Sequence, residues 1–144
     1  MLELLLALDI QPIGHAEYFP ISSSTFEQPA QQIPYLRKRL TGTPKNVGTA
    51  QAPSIEAIVA LQPDLILADS LKNRDEYALL SQIAPTLLFT YSDAERDWQS
   101  GLSAISAPLG RRSQQAETLI EQSNNRFSAF RSKIQPITKN IPTC

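Results

Sequence analysis

Between Asn46 and Phe89 the chain alternates short apolar runs with helical stretches, and this alternation limits the fold more than any other feature. The runs are Asn46-Val47-Gly48, Pro63-Asp64-Leu65-Ile66-Leu67-Ala68 and Thr86-Leu87-Leu88-Phe89; the stretches between them are Ser54 to Leu61 and Asp75 to Ile83. The runs are too short for helices and too continuous for strands with one wet face. Such runs belong to a parallel sheet whose faces are both covered by helices. They recur at a spacing of roughly 20 residues, which suits strand–helix–strand units with right-handed crossovers. An α/β fold with a parallel, Rossmann-like sheet is predicted. Ser54, three residues before Ala57, is a candidate N-cap, with Pro53 just before it.

The flanks are read the same way. Leu2, Leu4, Leu5, Leu6 and Leu8 predict a short helix buried on most sides and ending near Asp9, with Pro12 preventing its continuation. A short strand is expected at Ile13 and Gly14. From Glu17 to Gln32, Pro20, Pro29 and the serines Ser22 to Ser24 interrupt any period, so a long surface loop is predicted. Tyr35, Leu36 and Leu40 suggest a short helix stopped by Gly42 and Pro44. A helix from about Asp97 to Leu109 is expected to bury Trp98, Leu102 and Ile105 and to stop at Gly110. From Ser113 to Ile134, the residues Ala116, Leu119, Ile120, Phe127, Phe130 and Ile134 recur at helical spacing, predicting a long amphipathic helix ended by Pro136.

Bulk properties exclude several function classes. The 144 residues are 42% apolar and 19% charged, which suits one globular domain. A net charge of -1 with scattered Lys and Arg offers no footprint for nucleic acid. The longest apolar stretch, Leu4 to Leu8, falls far short of the ~20 residues that span a bilayer, and it follows Glu3 rather than a basic segment. Neither a transmembrane helix nor a secretory leader is expected within the sequence. The single cysteine, Cys144, permits no internal disulfide and no multi-cysteine metal site. His15, the only histidine, lacks partners at metal-ligand spacing, so no protein metal site is expected. Gly-x-Gly-x-x-Gly, Gly-x-x-x-x-Gly-Lys, Gly-x-Ser-x-Gly and His-Glu-x-x-His are all absent, which leaves an enzyme on this fold without a recognisable centre.

Four segments taken in order carry a resemblance. Asn46-Val47-Gly48-Thr49, Ala52-Pro53-Ser54-Ile55-Glu56-Ala57-Ile58, Leu61-Gln62-Pro63-Asp64-Leu65-Ile66-Leu67 and Ile83-Ala84-Pro85-Thr86 resemble the substrate-binding proteins of ferric-siderophore, haem and cobalamin ABC importers. Leu5-Leu6-Ala7-Leu8-Asp9-Ile10-Gln11-Pro12-Ile13-Gly14 is similar to that family's first helix and second strand. Asp97-Trp98 to Leu109-Gly110-Arg111, with the helix that follows, is similar to the end of its N-terminal lobe.

The resemblance implies two α/β lobes joined by one long helix, with a ligand between them. It divides this sequence into an N-terminal lobe over 1–112, a connecting helix over 113–135 and the start of a second lobe over 136–144. The family's first strand and its second lobe have no counterpart here, so a partial chain is expected, whether truncated, mis-started or split. The implied function is capture of a ferric siderophore outside the cytoplasmic membrane and its delivery to a membrane permease and, indirectly, to an ATPase. The protein would be periplasmic or lipoprotein-anchored. It would need no cofactor, because the iron arrives already wrapped by its chelator. A vestigial lobe that binds nothing, or less plainly an enzyme on a doubly wound sheet, are the competing readings.

Candidate site residues follow from both sources. Glu56 matches the family's acidic residue that docks into permease arginines, where a carboxylate pairs in a bidentate, charge-assisted way; its plainer role is to favour the dipole in a helix's first turn. Thr49, Ala50 and Gln51 follow a strand's carboxyl end, where ligands approach an open α/β sheet. The alternative there is a tight connection in which Gly48 supplies unusual backbone angles. Some hydroxamate-binding relatives have arginine at the position of Ala50. Ser70, Lys72, Asn73 and Arg74 follow the next strand, with Lys72 or Arg74 suited to an anionic chelate or simply to solvent. Tyr91, after the strand ending at Phe89, is suited to stacking on a ligand.

Overall fold

The computed structural model describes residues 2–17, 28–89, 97–110 and 112–138. Its strands are β1 (Gly14–Glu17), β2 (Lys45–Thr49), β3 (Ile66–Asp69) and β4 (Thr86–Phe89). Its helices are α1 (Leu2–Ala7), α2 (Pro29–Gln32), α3 (Ile55–Leu61), α4 (Tyr77–Ile83), α5 (Trp98–Ser106) and α6 (Arg112–Thr138). The expected α/β class with parallel strands holds.

The strands form two parallel pairs rather than one continuous ladder among the described residues. β3 and β4 pair without interruption from Ile66 opposite Thr86 to Asp69 opposite Phe89. β1 and β2 pair from Gly14 opposite Lys45, with a shift between His15 and Glu17. α3 therefore joins strands of different pairs, and Val47 of β2 meets Ala68 of β3 through a core that includes Ile58 and Leu80. A second core gathers Leu8, Phe89, Leu102, Ile105 and Ala116, and a third packs Leu6 against Leu36 and Leu40.

Local chemistry explains the element ends. Ser54 caps α3 as predicted, its Oγ accepting the Ala57 N–H at 3.3 Å. Gln62 closes that helix in the left-handed region, at φ 49°, before Pro63. Asp97 caps α5, its Oδ1 accepting the N–H groups of Gln99 and Ser100. The Ser100 N–H, then the Ser100 hydroxyl and the Gln99 N–H, hold the Asp97 carboxyl below the usual carboxylate range.

Several expectations give way. β1 extends to Glu17, and Pro29–Gln32 forms a helical turn instead of loop: Pro29 presets the first position, and Gln32 Oε1 accepts the Gln28 N–H at 2.9 Å. The rest of the predicted loop, 18–27, lies outside the described residues. The helix predicted around Tyr35 reduces to a 3-10 turn at Pro34–Leu36 and the turn after it, which suffices to bury Leu36 and Leu40. α5 buries Leu102 and Ile105, but Trp98 stays 41% exposed. Trp98 is the first helical residue, at the end of the packed stripe, and Gly101 and Ser106 are the other buried positions of this helix. α6 continues through Pro136 to Thr138. A proline this near a helix end removes only one late hydrogen bond.

Candidate functional site

The carboxyl end of β2 is shaped by Gly48. Its φ is +94°, and a Cβ there would stand 2.8 Å from the Ala52 carbonyl oxygen. Only glycine fits such an approach at such an angle without strain. The chain turns back at once: Gly48 bridges Pro53, and the Ser54 N–H donates to the Val47 carbonyl at 2.7 Å. This reversal places the start of α3, and with it Glu56, beside the strand end. Glu56 is exposed in the first turn of α3.

Thr49, Ala50 and Gln51 form the loop that this reversal creates. Thr49 Oγ1 and its carbonyl both accept from the Ala52 N–H, a local turn typical of threonine. The Ala50 N–H donates to the Glu17 carbonyl at 2.7 Å, so the loop is also tied to β1. Glu17 is buried, and its Oε1 accepts from Asn46 Nδ2 at 2.8 Å, while Asn46 Oδ1 accepts the Gly48 N–H. Thr49 and Ala50 are half-buried and Gln51 is exposed.

The loop after β3 is built on Asp69. Its Oδ1 accepts the Leu71 N–H at 2.8 Å, and its carbonyl accepts the N–H groups of Lys72 and Asn73. Asn73 returns the contact, its Oδ1 accepting the Asp69 N–H at 3.2 Å. Asp69, Ser70 and Asn73 are all buried, Lys72 is half-buried and Arg74 is exposed. The Ser70 N–H donates to the Phe89 carbonyl, continuing the β3–β4 ladder by one bond. Tyr91 lies outside the described residues.

One side chain joins the two loops. Asn73 Nδ2 donates to the Ala50 carbonyl at 2.7 Å, so the loops after β2 and β3 share one surface at the carboxyl ends of their strands. Thr49, Ala50, Gln51, Ser70, Lys72 and Arg74 are thereby brought to neighbouring segments. Asn73, Asp69, Glu17 and Asn46 hold that arrangement; the sequence placed Asn73 only among the residues of the loop and gave the other three no part in the site. The usable signal was Asx residues at strand ends, which favour local side-chain to backbone bonds.

A cavity elsewhere, lined by Glu3, Leu6, Tyr35, Leu36 and Arg39, takes no wall from these loops. Tyr35 Oη donates to Glu3 Oε1 at 2.8 Å, which holds the Tyr35 hydroxyl above its ordinary pKa. Among the described residues no helix is long and apolar enough to cross a membrane.

Residues 2–143 match the family model described as periplasmic binding protein. The chain is 32% identical over 136 residues to the Fe(3+) dicitrate-binding periplasmic protein FecB of Escherichia coli K12, covering 94% of this chain and 42% of that protein. It is 32% identical over 129 residues to the achromobactin-binding periplasmic protein of Dickeya dadantii, covering 90% of this chain and 38% of that protein. Among solved structures, Staphylococcus aureus SirA superposes with a TM-score of 0.72 at 27% identity, over 96% of this chain and 46% of that one. The siderophore-binding protein FhuD of Vibrio cholerae, bound to Fe3+-Desferal, gives 0.69 at 26%, over 93% and 47%. The chain spans under half the length of these relatives. Its parallel α/β lobe and terminal helix correspond to the N-terminal part of that fold, and the chain belongs to the periplasmic binding protein family.

Proposed function

We propose that this chain is the N-terminal lobe of a solute-binding component of an ABC importer, one that captures a ferric siderophore and presents it to a permease. The observation that carries this reading is the Asn73–Ala50 bond, which joins two strand-end loops. The carboxyl ends of parallel strands are where open α/β sheets take ligands, and the relatives include proteins named for Fe(3+) dicitrate and achromobactin.

In this reading Thr49, Gln51, Lys72 and Arg74 meet the chelate, with Ala50 and Ser70 forming the floor and Tyr91 as a further ligand contact. Lys72 and Arg74 supply positive charge to an anionic complex. Iron stays within its chelator, so the protein contributes no metal ligand and no catalysis. Residues 1–112 act as the lobe, 113–135 as the connecting helix and 136–144 as the entry to the facing lobe, which supplies the opposite wall. Glu56, exposed beside the loops, docks on permease arginines, outside the cytoplasmic membrane.

The reading is tested by calorimetric titration of the chain with ferric citrate, a ferric tris-catecholate and a ferric hydroxamate. Saturable binding of one of them supports it, and absence of binding by the folded chain to all three contradicts it. For docking, Glu56→Lys in the complete importer should abolish uptake and leave chelate affinity unchanged; lost affinity with intact uptake would remove that assignment.

A further inference from the structure

We infer that Asn73 is a positioning residue for the ligand loop Thr49–Gln51, an inference that rests on the function proposed above. Asn73 is 6% exposed, and its N–H, Oδ1 and Nδ2 are all engaged. Its N–H and Oδ1 both close on the Asp69 backbone, fixing the turn after β3, and only Nδ2 leaves that turn, reaching the Ala50 carbonyl. Ala50 is then held from both sides, its N–H by the Glu17 carbonyl and its carbonyl by Asn73.

This double hold has a consequence for recognition. With both peptide groups of Ala50 committed, the loop presents side chains and not that backbone to a ligand, and the Asn73 bond helps to set its distance from Lys72 and Arg74. A surface assembled from two loops recognises a rigid chelate only if that spacing is fixed before binding, since ordering the loop on binding weakens affinity.

Asn73→Asp isolates the inter-loop bond. Aspartate keeps the acceptor for the Asp69 N–H and the backbone turn, but it loses the Nδ2 donor and sets a carboxylate oxygen against the Ala50 carbonyl. Amide exchange should then quicken roughly tenfold at Ala50 and Ala52, the scale of one lost buried hydrogen bond, while Leu71 and Asn73 keep wild-type protection. Affinity for whichever ferric chelate the wild type binds, measured on the folded fraction, should fall about tenfold. Asn73→Ala should reproduce the fall in affinity and also expose the Asp69 amide, whose acceptor is Asn73 Oδ1. A purely structural asparagine would lower the melting temperature and leave affinity untouched.

The outcomes are separable. If the wild type binds and Asn73→Asp binds equally well, or if Ala50 and Ala52 exchange at wild-type rates in the variant, this inference is overturned and the proposed function stands. If the wild type binds none of the three chelates, the proposed function falls, and the inference falls with it as a statement about ligand.

Discussion

The two strand pairs are built on different principles. β3 and β4 read Ile-Leu-Ala-Asp and Thr-Leu-Leu-Phe, mainly apolar, and they pair through four successive positions with no break in register. β1 and β2 read Gly-His-Ala-Glu and Lys-Asn-Val-Gly-Thr, and their ladder slips between His15 and Glu17. Side-chain bonds compensate there: Asn46 holds the buried Glu17 carboxylate and the Gly48 N–H together. The regular pair is held by burial, which tolerates changes of similar size and shape. The irregular pair is held by a few directional bonds and one glycine, which do not. A loop attached to the second kind of scaffold owes its position to single residues.

That contrast is open to breaking. Leu80→Ala removes a fully packed side chain from the core shared by Val47, Ile58 and Ala68, so it should cost about 3 kcal/mol in chemical denaturation. Affinity measured on the folded fraction should stay near wild type. Gly48→Ala should cost about 2 kcal/mol through its positive φ and the crowded Ala52 carbonyl, and it should lower chelate affinity by far more than Leu80→Ala does. If the two variants lost affinity equally, the distinction between the pairs would fail.

A smaller effect is expected at the cap of α5. The Asp97 carboxyl titrates below its unfolded value, so its contribution is present above the ordinary carboxylate pKa and is lost as pH falls through the folded one. Asp97→Ala should therefore lower the melting temperature at pH 7, and the gap to wild type should close in acid. A gap that persisted in acid below the depressed Asp97 titration itself would point to packing in place of capping.

The smallest effect should come from α6. Its first half packs on α5, burying Ala116, and Gln115 reaches Asp9 at 2.8 Å. Phe127 and Phe130 are 66% and 61% exposed. Phe127→Ser and Phe130→Ser should shift stability by no more than about 0.5 kcal/mol, and a loss of several would mean that these rings are covered in solution.

These elements also mark what the sequence made legible. Thr86–Phe89 and the Ser54-capped α3 stand where the apolar run and the cap placed them, because each depends on its own residues and near neighbours. The rings of Trp98, Phe127 and Phe130 share the period of buried positions, yet period reports only a face. It cannot report whether an element lies beneath that face at a given turn. The separation into two strand pairs was hidden for the same reason, since apolar runs name strands without naming their neighbours. Asn73 was visible only as one more polar loop residue, because its bond to Ala50 crosses between loops distant in sequence.

The central claim is that the loops at 49–52 and 70–74 form one prepared half of a chelate site. Amide chemical-shift mapping on addition of a siderophore loaded with gallium(III), a diamagnetic stand-in for iron, tests it most directly. Shifts confined to those two loops and the residues just after β4, saturating together, are the expected result. Shifts clustered instead around Glu3, Tyr35 and Arg39, or none anywhere in a folded chain, would contradict it.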